Sequence, residues 1–244
     1  NVLHGDFGES VSGNATVLSM ILSHLQPTVF LSLYSLIIAA VIAIPLGMIA
    51  ARKKGAMVDH SVTVISLAGI SLPSFLLGLF LMLLFAVKLR WFPVSGYVPP
   101  SQGMAAHLRS LCLPAITLGF MNAALMMRMT RASMLEVLGS DYIKMAKAKG
   151  VKEFFLIAKH AFKNTLVTVI TVLGQSIVQA LAGAAVVESL FAIPGLGQLM
   201  VNSIGRRDYY VIQSIVLLIA VFNVLVTMMI DIIYGLVDPR VRVS

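Results

Sequence analysis

Long apolar stretches alternate with short polar interruptions along the chain, and their lengths set the first expectation. Leu25 to Ala51 and Ser61 to Val87 each run 27 residues without a charge. A helix of that length crosses a hydrocarbon core of about 30 Å. A third stretch starts near Leu111 and stays uncharged until Arg128. A fourth runs 23 residues from Thr165 to Val187, and a fifth runs from Tyr209 to Ile230. The pattern predicts spans at about 25–51, 61–87, 111–135, 165–187 and 209–231, within a membrane domain at 24–237. Residues 1–23 are expected as an extracytoplasmic loop and 238–244 as a cytoplasmic tail.

Several positions inside the spans are marked by their chemistry. Ser35, Ala39, Ala43 and Gly47 recur every fourth residue, as do Ser176, Ala180 and Ala184. Such stripes of small residues let a neighbouring helix approach closely. Pro73 removes a backbone donor and is expected to bend its helix, either as a gate or as a packing accommodation. Gln175 and Gln179 share a face, which suits a polar translocation path or bonds between packed helices. Arg128 and Arg131 lie near the end of the third span, where snorkelling to the interface accounts for both, with a salt bridge to the next segment as the alternative. Pro194-Gly195-Leu196-Gly197 predicts a structured turn after Glu188.

The longest polar interruption runs from Gly139 to Lys152, within a segment 137–163 that separates the third and fourth spans. Ser140 or Asp141 offers a helix N-cap and Gly150 a stop, so a helix is expected from Asp141 to Lys149. It is either a basic loop lying on anionic lipid or a small helix built to be gripped by a partner protein. Tyr142, Met145, Ala146 and Lys149 recur at helical spacing and are expected on one face. Residues 153–164 mix lysines with aromatic and aliphatic residues, as an interfacial helix leading into a span does.

Composition agrees with an all-α integral membrane protein. Hydrophobic residues make up 59% of the 244 and charged residues only 11%, against about 25% charged in soluble domains. The net charge of +8 raises nucleic acid as a partner, but the basic residues flank the spans, so none is expected. Cys112 is alone, the five histidines are dispersed and no phosphate-binding loop occurs. No catalytic residue, metal or cofactor is therefore expected on this chain. An ion-driven secondary transporter is the opposing class, and the scarcity of acids at the span centres counts against it.

Charge also orients the chain. The loops on one side hold Arg52, Lys53, Lys54, the eight basic residues from Arg128 to Lys163, and Arg240 and Arg242, thirteen in all. The other side holds Lys88, Arg90, Arg109, Arg206 and Arg207, which is five. The richer side is expected in the cytoplasm, and with it 137–163 and the C-terminus. An external N-terminal segment without a signal-peptide pattern predicts one further span upstream, six in the complete bundle.

With that orientation, 137–163 resembles the cytoplasmic EAA loop of ABC-importer permeases. Lys144-Met145-Ala146 stands where that loop has Glu-Ala-Ala, and Gly150 holds its glycine. Asp141-Tyr142-Ile143, Ala146-Lys147-Ala148-Lys149-Gly150 and His160-Ala161-Phe162-Lys163-Asn164 resemble the form found in dipeptide, oligopeptide and nickel permeases. The resemblance continues through Gly69-Ile70-Ser71-Leu72-Pro73-Ser74-Phe75, Pro93-Val94-Ser95-Gly96-Tyr97, Pro194-Gly195-Leu196-Gly197, Asp208-Tyr209 and Asp238-Pro239-Arg240.

The resemblance implies a type I importer permease bundle, of the B-type subunit of the peptide/nickel group, in a bacterial or archaeal cytoplasmic membrane. It implies a second permease, two cytoplasmic ATPase subunits holding ATP-Mg, and an extracytoplasmic solute-binding protein as partners. Peptide is the first expectation for cargo, with nickel or a metal chelate as the alternative. The helix from Asp141 is then the ATPase-coupling element, through Asp141, Tyr142, Met145, Ala146, Lys149 and Gly150. Gln175, Gln179 and Pro73 are candidates for the translocation path.

Overall fold

Helices dominate the computed structural model, which describes residues 7–11 and 15–237. In order they are α1 (Val17–Arg52), α2 (Met57–Ser71), α3 (Ser74–Leu81) with a π-helical continuation Met82–Lys88, α4 (Met104–Gly139), α5 (Asp141–Ala148), α6 (Glu153–Phe155) with a π-turn Leu156–Ala161, α7 (Phe162–Phe191), α8 (Leu196–Arg206) and α9 (Tyr209–Val237). The expected C-terminal tail with Asp238-Pro239-Arg240, and the N-terminal residues 1–6 and 12–14, lie outside the described residues.

Val17–Arg52, Met104–Gly139 and Tyr209–Ile233 are each long and apolar enough to cross a bilayer. The interrupted pair Met57–Ser71 with Ser74–Lys88, and α7 counted as one span, bring the number to as many as five. Two boundaries differ from expectation. Helix α1 starts at Val17, inside the stretch read as a loop, because Val17 and Ile21 are buried with apolar residues of α8 and α9. At Pro73 the expected departure from a straight helix takes the form of a break. The helix stops at Ser71, and Pro73, extended at φ −60° and ψ 132°, stands at the N-cap of α3, where its carbonyl accepts from the N–H groups of Leu76 and Leu77. A proline at a helix start forfeits no intrahelical bond.

The chain divides into two units. The first comprises 1–36, 72–119 and 177–226. Its core joins Val17 and Ile21 of α1, Leu196 and Leu199 of α8, and Val211 and Ile215 of α9. Here α1 and α4 meet so closely that a Cβ on Gly119 would stand 2.7 Å from the Ser35 carbonyl oxygen. The second unit comprises 37–71, 120–176 and 227–244. Ala39, Ala43 and Ala50 pack there against Val62, Ala123, Met126, Met127 and Val172, and Gly47 lies against Met127 and Thr130. Every member of both small-residue stripes is buried, as close helix packing requires.

Candidate functional site

In the second unit, α5 is a two-turn helix fastened from inside. Ile143 is 3% exposed and clusters with Ala51, Met134, Leu156 and Ala161. Ala146, one turn on, is half-buried and packs on the same cluster with Val151. Ala146 therefore belongs to the inner face, and the outward face is Tyr142 at 43%, Met145 at 61% and the exposed Lys149. Ile143 is the residue that sequence reading missed. Its signal was the 143/146 spacing, which opposes the polar face three to four residues apart.

Both ends of α5 follow from local chemistry. Ser140 occupies the N-cap with extended backbone, but its hydroxyl turns back to the Val137 carbonyl and does not cap the helix. Asp141 instead pairs with Lys144 through Nζ at 2.8 Å, on the exposed surface. At the far end the Gly150 N–H reaches the Lys147 carbonyl at 3.0 Å and the Val151 N–H reaches that of Ala146 at 3.3 Å. Gly150 adopts φ +78°. This is the paired-bond, left-handed helix stop, and Val151 packs on the apolar cluster that holds Ile143.

Beyond that stop, α6 and the π-turn Leu156–Ala161 lead without a gap into the start of α7 at Phe162. A π-turn inserts an extra residue and rotates the helix locally. Here it accompanies the burial of both Leu156 and Ala161. The expected interfacial helix thus consists of α6, the π-turn and the first residues of α7, and it leads into the span as expected. Asn164 donates from Nδ2 to the Tyr142 hydroxyl, tying α5 to α7.

Arg131 does not snorkel. It grips the buried Asp59 with its fork, Nε to Oδ1 and Nη2 to Oδ2 at 2.9 Å, and Asp59 Oδ2 also accepts from the Gly55 N–H at 2.9 Å. Arg128, one turn earlier, is exposed. Gln175 is exposed on α7 in this unit.

In the first unit Gln179 and Pro73 are exposed as well. The organising group here is Glu188, fully buried near the end of α7. The Thr28 hydroxyl donates to its Oε1 at 2.6 Å and the Gln198 N–H to its Oε2 at 3.0 Å. Thr28 in turn accepts from the Leu196 N–H at 2.8 Å. A carboxylate is thereby set against the free N–H groups that open α8. The two glycines of the Pro194-to-Gly197 turn make room for it. A Cβ on Gly195 would fall 2.2 Å from the Glu188 carboxyl, and one on Gly197 would fall 2.4 Å from Ala185 Cα. Gly195-Leu196-Gly197 is consequently the start of a helix, not only a loop.

A second constellation in this unit fixes the loop before α4. His107 is fully buried among Phe30, Tyr34 and Tyr97. Its Nδ1 donates to the Val98 carbonyl at 2.6 Å, which in the neutral ring leaves Nε2 to accept from the Tyr34 hydroxyl at 3.1 Å. Gly96, at φ +101°, donates its N–H to the Phe191 carbonyl at 2.8 Å.

Comparison with known proteins places this architecture. Residues 43–243 match the family described as the binding-protein-dependent transport system inner membrane component. A probable peptide ABC transporter permease protein of Sinorhizobium fredii is 39% identical over 99% of this chain and 77% of its own length. The di/tripeptide transport system permease protein DppB of Pseudomonas aeruginosa is also 39% identical, over 99% of this chain and 78% of its own length. Among solved structures, one of the MetNI methionine ABC transporter in an inward-facing conformation superposes with a TM-score of 0.73 at 17% identity, covering 91% of this chain and 97% of that one. A crystal structure of an amino acid ABC transporter gives a TM-score of 0.63 at 14% identity, covering 88% and 92%. The chain belongs to the binding-protein-dependent transport system inner membrane component family, and its fold is the all-α, membrane-spanning bundle of ABC-importer permeases.

Proposed function

We propose that this chain is the permease subunit of a peptide importer, with α5 as the helix that takes the stroke of a partner ATPase. The observation that carries the reading is the two-sided build of α5. Ile143 and Ala146 anchor it to the second unit, while Tyr142, Met145 and Lys149 are left outward at i, i+3 and i+7. An exposed Met and Tyr beside lysines on a rigidly held helix suit the helix-in-groove mode of recognition. The excess of basic residues on this side of the spans, thirteen against five, supports a cytoplasmic position, where an ATPase is available.

The remaining parts follow as one assembly. ATP-Mg is bound and hydrolysed in two ATPase subunits, a second permease completes the path, and an extracytoplasmic binding protein delivers cargo. Closure of the ATPase pair displaces α5, and the helical segment that runs from Glu153 into the start of α7 carries the displacement onward. Peptide is preferred over a metal chelate because the relatives at about 39–40% identity carry peptide in their names. Gln175, Gln179 and Pro73, all exposed, are candidates for the path.

The test is uptake of a labelled dipeptide and of nickel by proteoliposomes holding the complete transporter, with and without ATP. ATP-dependent dipeptide uptake supports the reading. Uptake of nickel alone, or uptake driven by an ion gradient without ATP, overturns it.

A further inference from the structure

The turn between α1 and α2 carries two ionic ties that the docking face of α5 does not use. At one end, Arg52 Nε donates to Glu153 Oε1 at 2.9 Å. The hydrogen bond from Arg52, followed by its charge, holds the Glu153 carboxyl below its ordinary range, with Lys147 of α5 adding to the effect. At the other end, Asp59 accepts the fork of Arg131 and the Gly55 N–H. Gly55 stands at φ +80°, a conformation that only glycine adopts without strain.

These contacts have a common geometry. Arg131 lies on α4, whose end at Gly139 leads into α5 at Asp141, and Glu153 opens α6, which follows the end of α5 at Ala148 after a short turn. One turn, residues 52–59, is therefore attached to the chain on both flanks of α5. Inside it, Ala51 packs with Met134, Ile143 and Leu156, so the ties enclose an apolar contact rather than a void.

We propose that residues 52–59 form a bracket that holds both flanks of α5 and passes its displacement to α1 and α2, with Arg52, Asp59, Arg131 and Glu153 as positioning residues. The proposal rests on the reading of α5 as the ATPase-docking helix. The two ties differ in kind. The Arg52–Glu153 pair is exposed at 47% and 61%, so alone it holds weakly and salt screens it. The Asp59–Arg131 pair is largely buried and two-pronged, a geometry that lysine does not reproduce.

The experiment uses the complete transporter in proteoliposomes and records three quantities: ATPase subunit retained on purification, ATP hydrolysed, and dipeptide moved per ATP. Arg52→Glu and Glu153→Arg each lower dipeptide per ATP about threefold, the scale of an exposed pair. The double exchange restores it to within about twofold, and Arg131→Lys lowers it about tenfold. In all four the ATPase subunit stays bound. Wild-type dipeptide per ATP in the single reversals, no recovery in the exchange, or loss of the ATPase subunit each overturns the bracket. Met145→Glu tests the underlying reading separately: if it retains the ATPase at wild-type strength, α5 is not the docking helix, whatever the bracket variants show.

Discussion

Thr28 and Glu188, 160 residues apart in the chain, share a buried hydrogen bond of 2.6 Å, and each also takes a backbone N–H from the first turn of α8. The position of α8 is thus set by a polar clasp between α1 and α7. A buried carboxylate is tolerated because donors meet both of its oxygens.

The clasp predicts that Gly195→Ala and Gly197→Ala destabilise the protein, since each new methyl falls within 2.2–2.4 Å of fixed atoms. Overpacking of this kind costs about 1–3 kcal/mol. Thermal unfolding in detergent checks it: both variants melt lower, whereas Gly205→Ala, which meets nothing within 4 Å, does not.

Arg131→Ala leaves Asp59 buried without its countercharge, and breaking such a pair costs about 3–5 kcal/mol. The expected outcome is poor membrane yield and a lowered melting temperature. Arg128→Ala, at an exposed position one turn away, leaves both unchanged.

Gly150→Ala places a side chain at φ +78° with open space around it, so strain and not collision is the penalty, about 1–2 kcal/mol. Hydrogen exchange in residues 144–150 is predicted to accelerate, while the distant helices keep their protection.

His107→Ala removes the bond to Val98 and the edge contacts with Phe30, Tyr34 and Tyr97. The loop between Leu89 and Gly103 then becomes susceptible to limited proteolysis. His107→Gln, which keeps a donor for the Val98 carbonyl, is cut more slowly.

The packing stripes were legible because they follow from local periodicity: small residues at every fourth position dictate a close neighbour. Of the two 27-residue uncharged stretches, 25–51 lies in one long helix, whereas 61–87 is interrupted at Pro73. The stop at Gly150 was equally local. What was hidden depends on partners distant in sequence. Nothing near Arg131 announces Asp59, 72 residues earlier, so snorkelling was the natural reading. Glu188 was read as a span boundary because its partners, Thr28 and the α8 amides, converge on it only in three dimensions. Ala146 fell on the inner face of α5 because the 142/145/149 and 143/146 spacings overlap on a two-turn helix, and burial alone separates them.

The central claim, that the outer face of α5 meets the ATPase, is tested most directly by cysteine cross-linking in the assembled transporter. Cys112 is the sole cysteine among these 244 residues; Cys112→Ser, in a transporter whose other permease cysteines are also replaced by serine, gives the background. Met145→Cys is predicted to form a cross-link to the ATPase subunit with a short thiol-reactive linker, and Ile143→Cys, on the buried face, to form none. A transport-active complex in which Met145→Cys yields no ATPase adduct would contradict the account.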